Sequence, residues 1–364
     1  MSEKSSTLDR ITVEIIGSAL LSIAEEMGIV LVRSAFSPNI KERQDCSTAL
    51  FDWKGCTLAQ AEHIPLHLGS LLGVVEAVIE TYGKNIRKGD AFVANDPYLG
   101  GGTHLPDVTV VSPLFYDEGL VGYAATIAHH ADIGGATPGG IAGSTETIYA
   151  EGLRIPPVRL QRDGEIDEDF LRLFRANCRQ SDQRETDLRG QLAANRIADR
   201  RMRELLQRFG VSTFRQAAEE LLEYGERRLR SAISRVPDGH YSYEDYLDDD
   251  GVIEEPIAVR VQAEIKGDDL HLDFTGTALQ VRGAINIPMA ALRATVYYAV
   301  KAVLEPDLPP NGGFHQAIRI TAPPGTLVNP RPPAAVGART DACQRVAGAI
   351  LGALAKAIPE RVPA

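Results

Sequence analysis

Residues 91–130 run AFVANDPYLGGGTHLPDVTVVSPLFYDEGLVGYAATIAHH, and the chain is best understood outward from them. AFVAND reads as a short strand. PYLGGGTHLP carries two prolines and three consecutive glycines, which exclude a regular element and predict a loop. DVTVVSPLFY and LVGYAATIAHH read as strands, and the DEG between them supplies a tight turn, so the pair forms an antiparallel hairpin. With Asp117–Gly119 as the turn, Tyr116 faces Leu120 and Asp107 faces His129. Directly opposed residues share one sheet face, with Cβ atoms roughly 4.5–5.5 Å apart, which suits two ligands of one ion. A turn one residue shorter puts His130 in place of His129. A one-residue slip flips the face, so only one of these two histidines can serve. His104, in the loop before the hairpin and followed by Leu105-Pro106, can fold back to the same point.

Two imidazoles and a carboxylate suit Zn²⁺, Fe²⁺ or Mn²⁺, with positions left for water or substrate. Such an ion acidifies bound water or polarises a carbonyl. Histidines at strand ends also commonly bond to backbone, and an aspartate before a strand commonly caps a turn. Spacing alone therefore leaves both readings open. His63 and His67, in EHIPLHLGS, are four apart, but Pro65 between them places His63 in a loop before a helix. His63 is the better site candidate, as a proton shuttle, and His67 reads as capping and packing. Asp45, in RQDCS, is either a second carboxylate or strand-start turn chemistry. Glu146 and Glu151 could reach the second glycine-rich loop, ADIGGATPGGIAGS, but read first as structural.

Elsewhere the pattern is mixed. Ile11, Ile15, Ile16, Ala19, Leu20, Ile23, Ala24 and Met27 mark one buried stripe of a helix from Leu8 to Val32, with Ser6 and Asp9 as its capping start. Cys46–Trp53 reads as a strand, and Leu66–Tyr82 as a helix stopped by Gly83. Helices are expected over Arg184–Phe209, whose arginines read as a solvated face, over Phe214–Val236, Ala290–Leu304 and Ala342–Ile358. Ile257–Ile265 and Leu270–Phe274 read as a hairpin about KGDD, and Ala317–Ile320 as a strand. Without steady βαβ alternation the fold class is α+β, with mixed sheets and long amphipathic helices. Three segments are expected: 1–170 carrying the site, a helical 171–240, and a β-rich then helical 241–364.

The chain has 364 residues and a formal net charge of −11. That charge argues against a nucleic-acid binder, whose affinity comes from neutralising phosphate. No stretch reads as 18 uncharged apolar residues, so no membrane span is expected. Four cysteines without a CxxC, and no leader-like start, point to a reducing cytoplasm. YLGGGTH lacks the Gly-Lys-Ser/Thr of a phosphate loop, the second glycine loop lacks a strand–loop–helix setting, and no GxSxG elbow occurs.

The runs ERQDCSTALFD, AEHIPLHLGS, NDPYLGGGTHLPDVTVVSPLF, AHHADIGG and STETIYAEGLRIPP, in this order, resemble the hydantoinase B/oxoprolinase family. So do FTGTALQVRGAIN, PDLPPNGGF and PPGTLVNPRPPAAVGAR, so the likeness runs from about residue 10 to the end. The family includes the β-type subunit of ATP-dependent N-methylhydantoinase and is related to α-type subunits of acetone and acetophenone carboxylases. The resemblance implies a metal-dependent subunit of an ATP-dependent cyclic-amide hydrolase, opening a hydantoin, lactam or 5-oxoproline-like ring. It implies a hetero-oligomer with a hydantoinase A-type partner that binds ATP. It also implies a divalent ion (Zn, Mn or Fe) held by the HxxD of the glycine loop and a downstream histidine, here His104, Asp107 and His129, joined by Asp45. His130 or His63 would move protons. Alternatives are a subunit of an ATP-dependent ketone carboxylase and a non-catalytic scaffold. The family pattern usually continues beyond the point where this chain ends, in a glycine-rich part. ANCRQSDQRETDLRGQLAAN also departs from the usual form, at Asn177-Cys178-Arg179.

Overall fold

The computed structural model describes residues 8–62, 64 and 67–362. In chain order the elements are α1 (Arg10–Ser34), α2 (Pro38–Lys41), β1 (Cys46–Phe51), β2 (Thr57–Glu62), α3 (His67–Tyr82), β3 (Ala91–Ala94), β4 (Asp107–Tyr116) and β5 (Gly119–His129). They continue as α4 (Ile148–Glu151), β6 (Val158–Arg162), β7 (Glu165–Ile166), α5 (Glu168–Asn177), α6 (Ser181–Phe209) and α7 (Val211–Ile233). The last third holds β8 (Gly239–Leu247), β9 (Ile257–Lys266), β10 (Asp269–Asp273), α8 (Met289–Leu304), β11 (Ile318–Thr321) and α9 (Arg339–Ala355).

A seven-stranded antiparallel sheet has the order β2-β1-β5-β4-β3-β6-β7. A four-stranded sheet, β11-β10-β9-β8, is mixed because β10 and β11 run parallel. The fold is thus α+β, as expected. One face of the large sheet presents Ala49, Phe51, Val111, Tyr123, Ala125 and Ile127 to Leu71, Val74, Val75 and Val78 of α3. The other presents Leu50, Leu114, Ala124 and Ala128 to the α1, α6 and α7 cluster. Alternation along each strand produces the two faces. α3 packs on α8, α8 on α9, and α9 on β8 and β9, so one apolar core runs from β1 to the last helix.

The β4–β5 hairpin reaches the expected register by an unexpected route. Its turn is Asp117–Glu118, so Tyr116 pairs with Gly119, not Leu120. An irregularity between Leu114 and Phe115 then takes up Val121, and from Leu114↔Gly122 onward the ladder runs to Asp107↔His129.

Three further expectations need correction. On α1 the buried stripe is Ile16, Leu20, Ile23, Ala24, Met27, Gly28 and Leu31, while Ile11 and Ile15 are exposed. The expected stripe therefore holds at Ile16, Leu20, Ile23, Ala24 and Met27, continues through Gly28 and Leu31, and fails at its first turn. Ser6 lies outside the described residues. By length and composition alone α1 is long and apolar enough to cross a membrane, because the adjacent Glu25 and Glu26 are its only charges between Ile15 and Val32; here it packs on α6, α7, β1 and β2. On α6, Arg184 is buried rather than solvated and lies 3.5 Å from the Asp187 carboxylate.

Candidate functional site

The end of the large sheet, on its α3 face, gathers residues from five parts of the chain. The glycine loop delivers His104 and Asp107. Asn95 holds the base of that loop: its amide donates to the carbonyls of Leu105 (2.8 Å) and Leu153 (2.9 Å), and its oxygen accepts from Ile155 N–H (2.7 Å). Gly102 has φ +61°, and a Cβ there would meet the Asp107 carbonyl at 2.8 Å, so only glycine makes this bend. A turn follows, in which Asp107 N–H donates to the His104 carbonyl (3.1 Å), and β4 begins.

Three donor atoms converge here. His104 Nε2 lies 2.9 Å from Asp107 Oδ1 and 3.2 Å from His129 Nδ1, and His129 Nδ1 lies 3.3 Å from Asp107 Oδ1. Among the described residues, this is the one group of histidine, cysteine, aspartate and glutamate side chains compact enough to hold a cation. His104 and Asp107 are buried and His129 is half-buried. Asp107 splits its duties: Oδ2 accepts from the Thr103 hydroxyl (2.8 Å) and from Arg339 Nη2 (3.0 Å), leaving Oδ1 to the imidazoles. Burial resists ionisation of Asp107, but the His104 ring and the Arg339 guanidinium outweigh it and hold the carboxyl well below its ordinary range. Burial, then Arg339, pushes His104 down to about 4. The set at neutral pH is an anionic carboxylate beside an uncharged His104, the protonation states that a divalent cation needs.

The other expected site residues divide. Asp45 lies just before β1, its carbonyl accepts from His129 N–H (3.0 Å), and its carboxylate stands 3.9 Å from His67 Nε2; it lies outside the compact group. His67, expected only to pack, is buried at the start of α3, with Nδ1 3.0 Å from the Ser47 hydroxyl. Burial lowers its pKa, and the charges of Asp107 and Asp45 oppose that shift. His130 points the other way, as its neighbour on a strand must. Its Nε2 donates to Gln191 Oε1 (3.0 Å) on α6, because the Gln191 amide nitrogen is already committed to the Val108 and Thr126 carbonyls. Burial, partly opposed by Asp187, lowers His130 to about 4. His63 lies outside the described residues.

Arg339 and Thr103 were not legible beforehand. Arg339 opens α9 and is buried; it donates to Thr103 Oγ1 (2.9 and 2.6 Å) and Asp107 Oδ2 (3.0 Å), and its Nη1 lies 2.8 Å from His104 Nδ1. Glu151, expected as structural, joins the same neighbourhood from α4: its Oε1 accepts from Val336 N–H (2.7 Å) and Gly337 N–H (2.6 Å).

Fold and site together define an α+β protein with a buried two-histidine, one-carboxylate centre at the end of an antiparallel sheet. A family model for hydantoinase B/oxoprolinase matches residues 9–364, and the chain belongs to that family. Caprolactamase subunit beta of Pseudomonas jessenii is 35% identical over 361 residues, covering 98% of this chain and 62% of that one. The crystal structure of the ATP-dependent caprolactamase from the same organism superposes with a TM-score of 0.93 at 34% identity, over 98% of this chain and 62% of that one. A 5-oxoprolinase of Dictyostelium discoideum is 32% identical over 354 residues, covering 95% of this chain and 28% of that protein. Nucleotide-free acetone carboxylase shares the fold, with a TM-score of 0.90 at 19% identity over 97% of this chain and 49% of the other. The chain therefore spans less than two thirds of each of these proteins.

Proposed function

We propose that this chain is the metal-carrying subunit of an ATP-dependent hydrolase that opens small cyclic amides: hydantoins, lactams or 5-oxoproline-like rings. The observation that carries the proposal is the convergence of His104 Nε2, Asp107 Oδ1 and His129 Nδ1 on one point, in a chain of this family. Nothing but donor atoms faces that point from these side chains, and the charge and softness of the set suit Zn²⁺, Mn²⁺ or Fe²⁺. A divalent ion bound there would supply Lewis acidity, for a carbonyl oxygen or for water.

The chain's own residues do the rest. Arg339 keeps Asp107 ionised and turns Oδ1 inward. Thr103 fixes Oδ2. Asp45, with its carboxylate toward His67, stands at the rim and is the further acidic candidate. We leave His130 out of the proton-moving machinery because its Nε2 is committed to Gln191 on α6, on the other side of the sheet from the cluster. A ring amide is a poor electrophile. Phosphoryl transfer from ATP to its oxygen, on a partner subunit of the hydantoinase A type, would make the ring carbon attackable by water. The C–N bond then breaks, the nitrogen leaving as the amine with a proton, and a second water cleaves the resulting acyl phosphate to the carboxylate and inorganic phosphate. We place the reaction in the cytoplasm, within a hetero-oligomer.

The test is to purify the chain with its genomic neighbour and measure metal content and ATP-dependent ring opening of hydantoin, caprolactam and 5-oxoproline. A second arm offers acetone with bicarbonate. Ring opening with ADP release supports the proposal. Carboxylation without ring opening overturns it in favour of a ketone carboxylase, and absence of metal after loading with Zn²⁺, Mn²⁺ and Fe²⁺ favours a scaffold.

A further inference from the structure

Far along the large sheet from the histidine cluster, a cavity of about 560 Å³ opens between the end of α3, the start of β3 and the β6–β7 turn. Its size falls in the usual range for small-ligand sites. Phe92 pairs with Val111, four residues along β4 from Asp107, and Asp90 lies two residues further. About 20 Å of strand therefore separates this cavity from the cluster. Arg87, Arg159 and Arg162 line it, in a chain whose net charge is −11, and the acids Asp90 and Asp163 line it with them.

These polar groups are only partly used. The Asp90 side chain is 1% exposed; its Oδ2 accepts from Arg87 N–H (2.9 Å) and lies 3.3 Å from Arg159 Nη2. Its Oδ1 is buried with no partner among the described residues. Arg159 lies over the Tyr82 and Phe92 rings and donates from Nη2 to the Asn85 carbonyl (2.9 Å), while its Nε is buried and equally without a partner. Arg87 spends Nη1 on the carbonyls of Lys84 and Ile86. Arg162 is exposed, and among the described residues nothing holds its guanidinium. Buried acceptors and donors are costly to leave unmet. A simple anion would meet Asp90 and Asp163 here, and a simple cation would meet three arginines. A molecule with an ammonium at one end and a carboxylate at the other answers both. We propose that this cavity binds a zwitterionic amino acid, its ammonium toward Asp90 and its carboxylate on Arg162 and Arg87. Opening a lactam or 5-oxoproline ring releases this class of molecule, whereas the closed amide presents no ammonium. The cavity thus senses product rather than substrate, at a distance from the metal centre.

The choice of ligand rests on the amide-opening proposal, but its test needs neither ATP nor a partner subunit. The full chain is titrated calorimetrically with 6-aminohexanoate and with L-glutamate, and for comparison with hexanoate, hexylamine and caprolactam. At least one amino acid should bind, hexanoate and hexylamine about tenfold more weakly or worse, and caprolactam not at all. Arg162→Ala changes an exposed side chain without a partner and should weaken binding about tenfold or more. Asp90→Asn should do the same; if it does not fold, Arg162→Glu takes its place by reversing the charge at the rim. His104→Ala should leave the affinity unchanged, since the metal centre is not the site. The inference is overturned if neither amino acid binds at millimolar concentration, or if hexanoate binds as well as 6-aminohexanoate, which would make this a plain anion site. Wild-type affinity in the Arg162 variants, or loss of binding in His104→Ala, overturns it equally. Amino-acid binding without ATP-dependent ring opening would instead sink the amide-hydrolase proposal and leave this site standing.

Discussion

Asp107 carries the site because its two oxygens face different worlds, imidazoles on one side and Thr103 with Arg339 on the other. His104→Ala removes one donor and leaves the buried Asp107–Arg339 pair intact. It is expected to abolish metal binding and turnover while shifting the urea midpoint little; full metal content by mass spectrometry would refute the assignment. Arg339→Gln strands the Asp107 carboxylate in a buried place, a change that costs about 3–5 kcal/mol in other proteins. We expect a lower melting temperature and at least tenfold weaker metal binding. Arg339→Lys should not rescue either, since one ammonium cannot reach Thr103, Asp107 and His104 together. His104, Asp107 and His129 were visible in the sequence because one hairpin brings them together. Arg339 was not, because it acts on Asp107 from 232 residues away and no local pattern encodes that contact. The partners of His67 were hidden for a similar reason: Ser47 lies in β1 and Asp45 just before it, and only the packing of α3 on the sheet shows the meeting.

The hairpin shows how an element places a site and how much of that the sequence reveals. Strand identity and face followed from alternation, but the turn and the irregularity at Val121 did not, since either turn is compatible with DEG. Gly122 sits beside that irregularity, where a Cβ would come within 2.2 Å of the Phe51 carbonyl. Gly122→Ala must push β1 away from β5 and should cost about 1–3 kcal/mol, read as a lower midpoint in urea; an unchanged midpoint would mean that β1 is not held this closely. β2, β6, β7 and β8 escaped notice because they offer few apolar residues: Val158–Arg162 carries two arginines in five residues, and GHYSYEDYL leaves all nine of its residues exposed or half-buried. α6 misled in the opposite direction. Its buried face includes Arg184, Asp187, Gln191 and Asn195, polar groups that serve backbone carbonyls and buried neighbours rather than water. Gln191→Leu leaves the Val108 and Thr126 carbonyls and His130 without their partner. It should cost about 1–3 kcal/mol but leave metal content unchanged. Loss of metal in this variant would tie His130 to the centre after all.

At the scale of the molecule, the site closes only because the chain's last quarter returns to its first half. Tyr98 donates to the Ala334 carbonyl (2.7 Å), Ile148 N–H to the Pro333 carbonyl (2.9 Å), and Glu151 gathers Val336 and Gly337. This clasp has a pH signature. Burial raises the Glu151 carboxyl to about 7 against the opposing amides of Gly337 and Val336 and the charge of Arg339. In the unfolded chain it titrates near 4.5. Below that value both states are protonated and the folded state bears no penalty. As pH rises toward 7 the unfolded state ionises first, so this group's stabilising contribution is lost across that window, by up to about 1.4 kcal/mol per pH unit. Above 7 both states are ionised and the loss is complete. Glu151→Gln cannot titrate. Its stability relative to wild type should therefore climb from pH 4.5 to 7 and level off beyond, all other groups cancelling in the difference. Paired urea melts from pH 4 to 8 measure it directly. A difference that stays constant over this range would mean that the carboxylate is as well solvated folded as unfolded, and that the clasp is not buried as described.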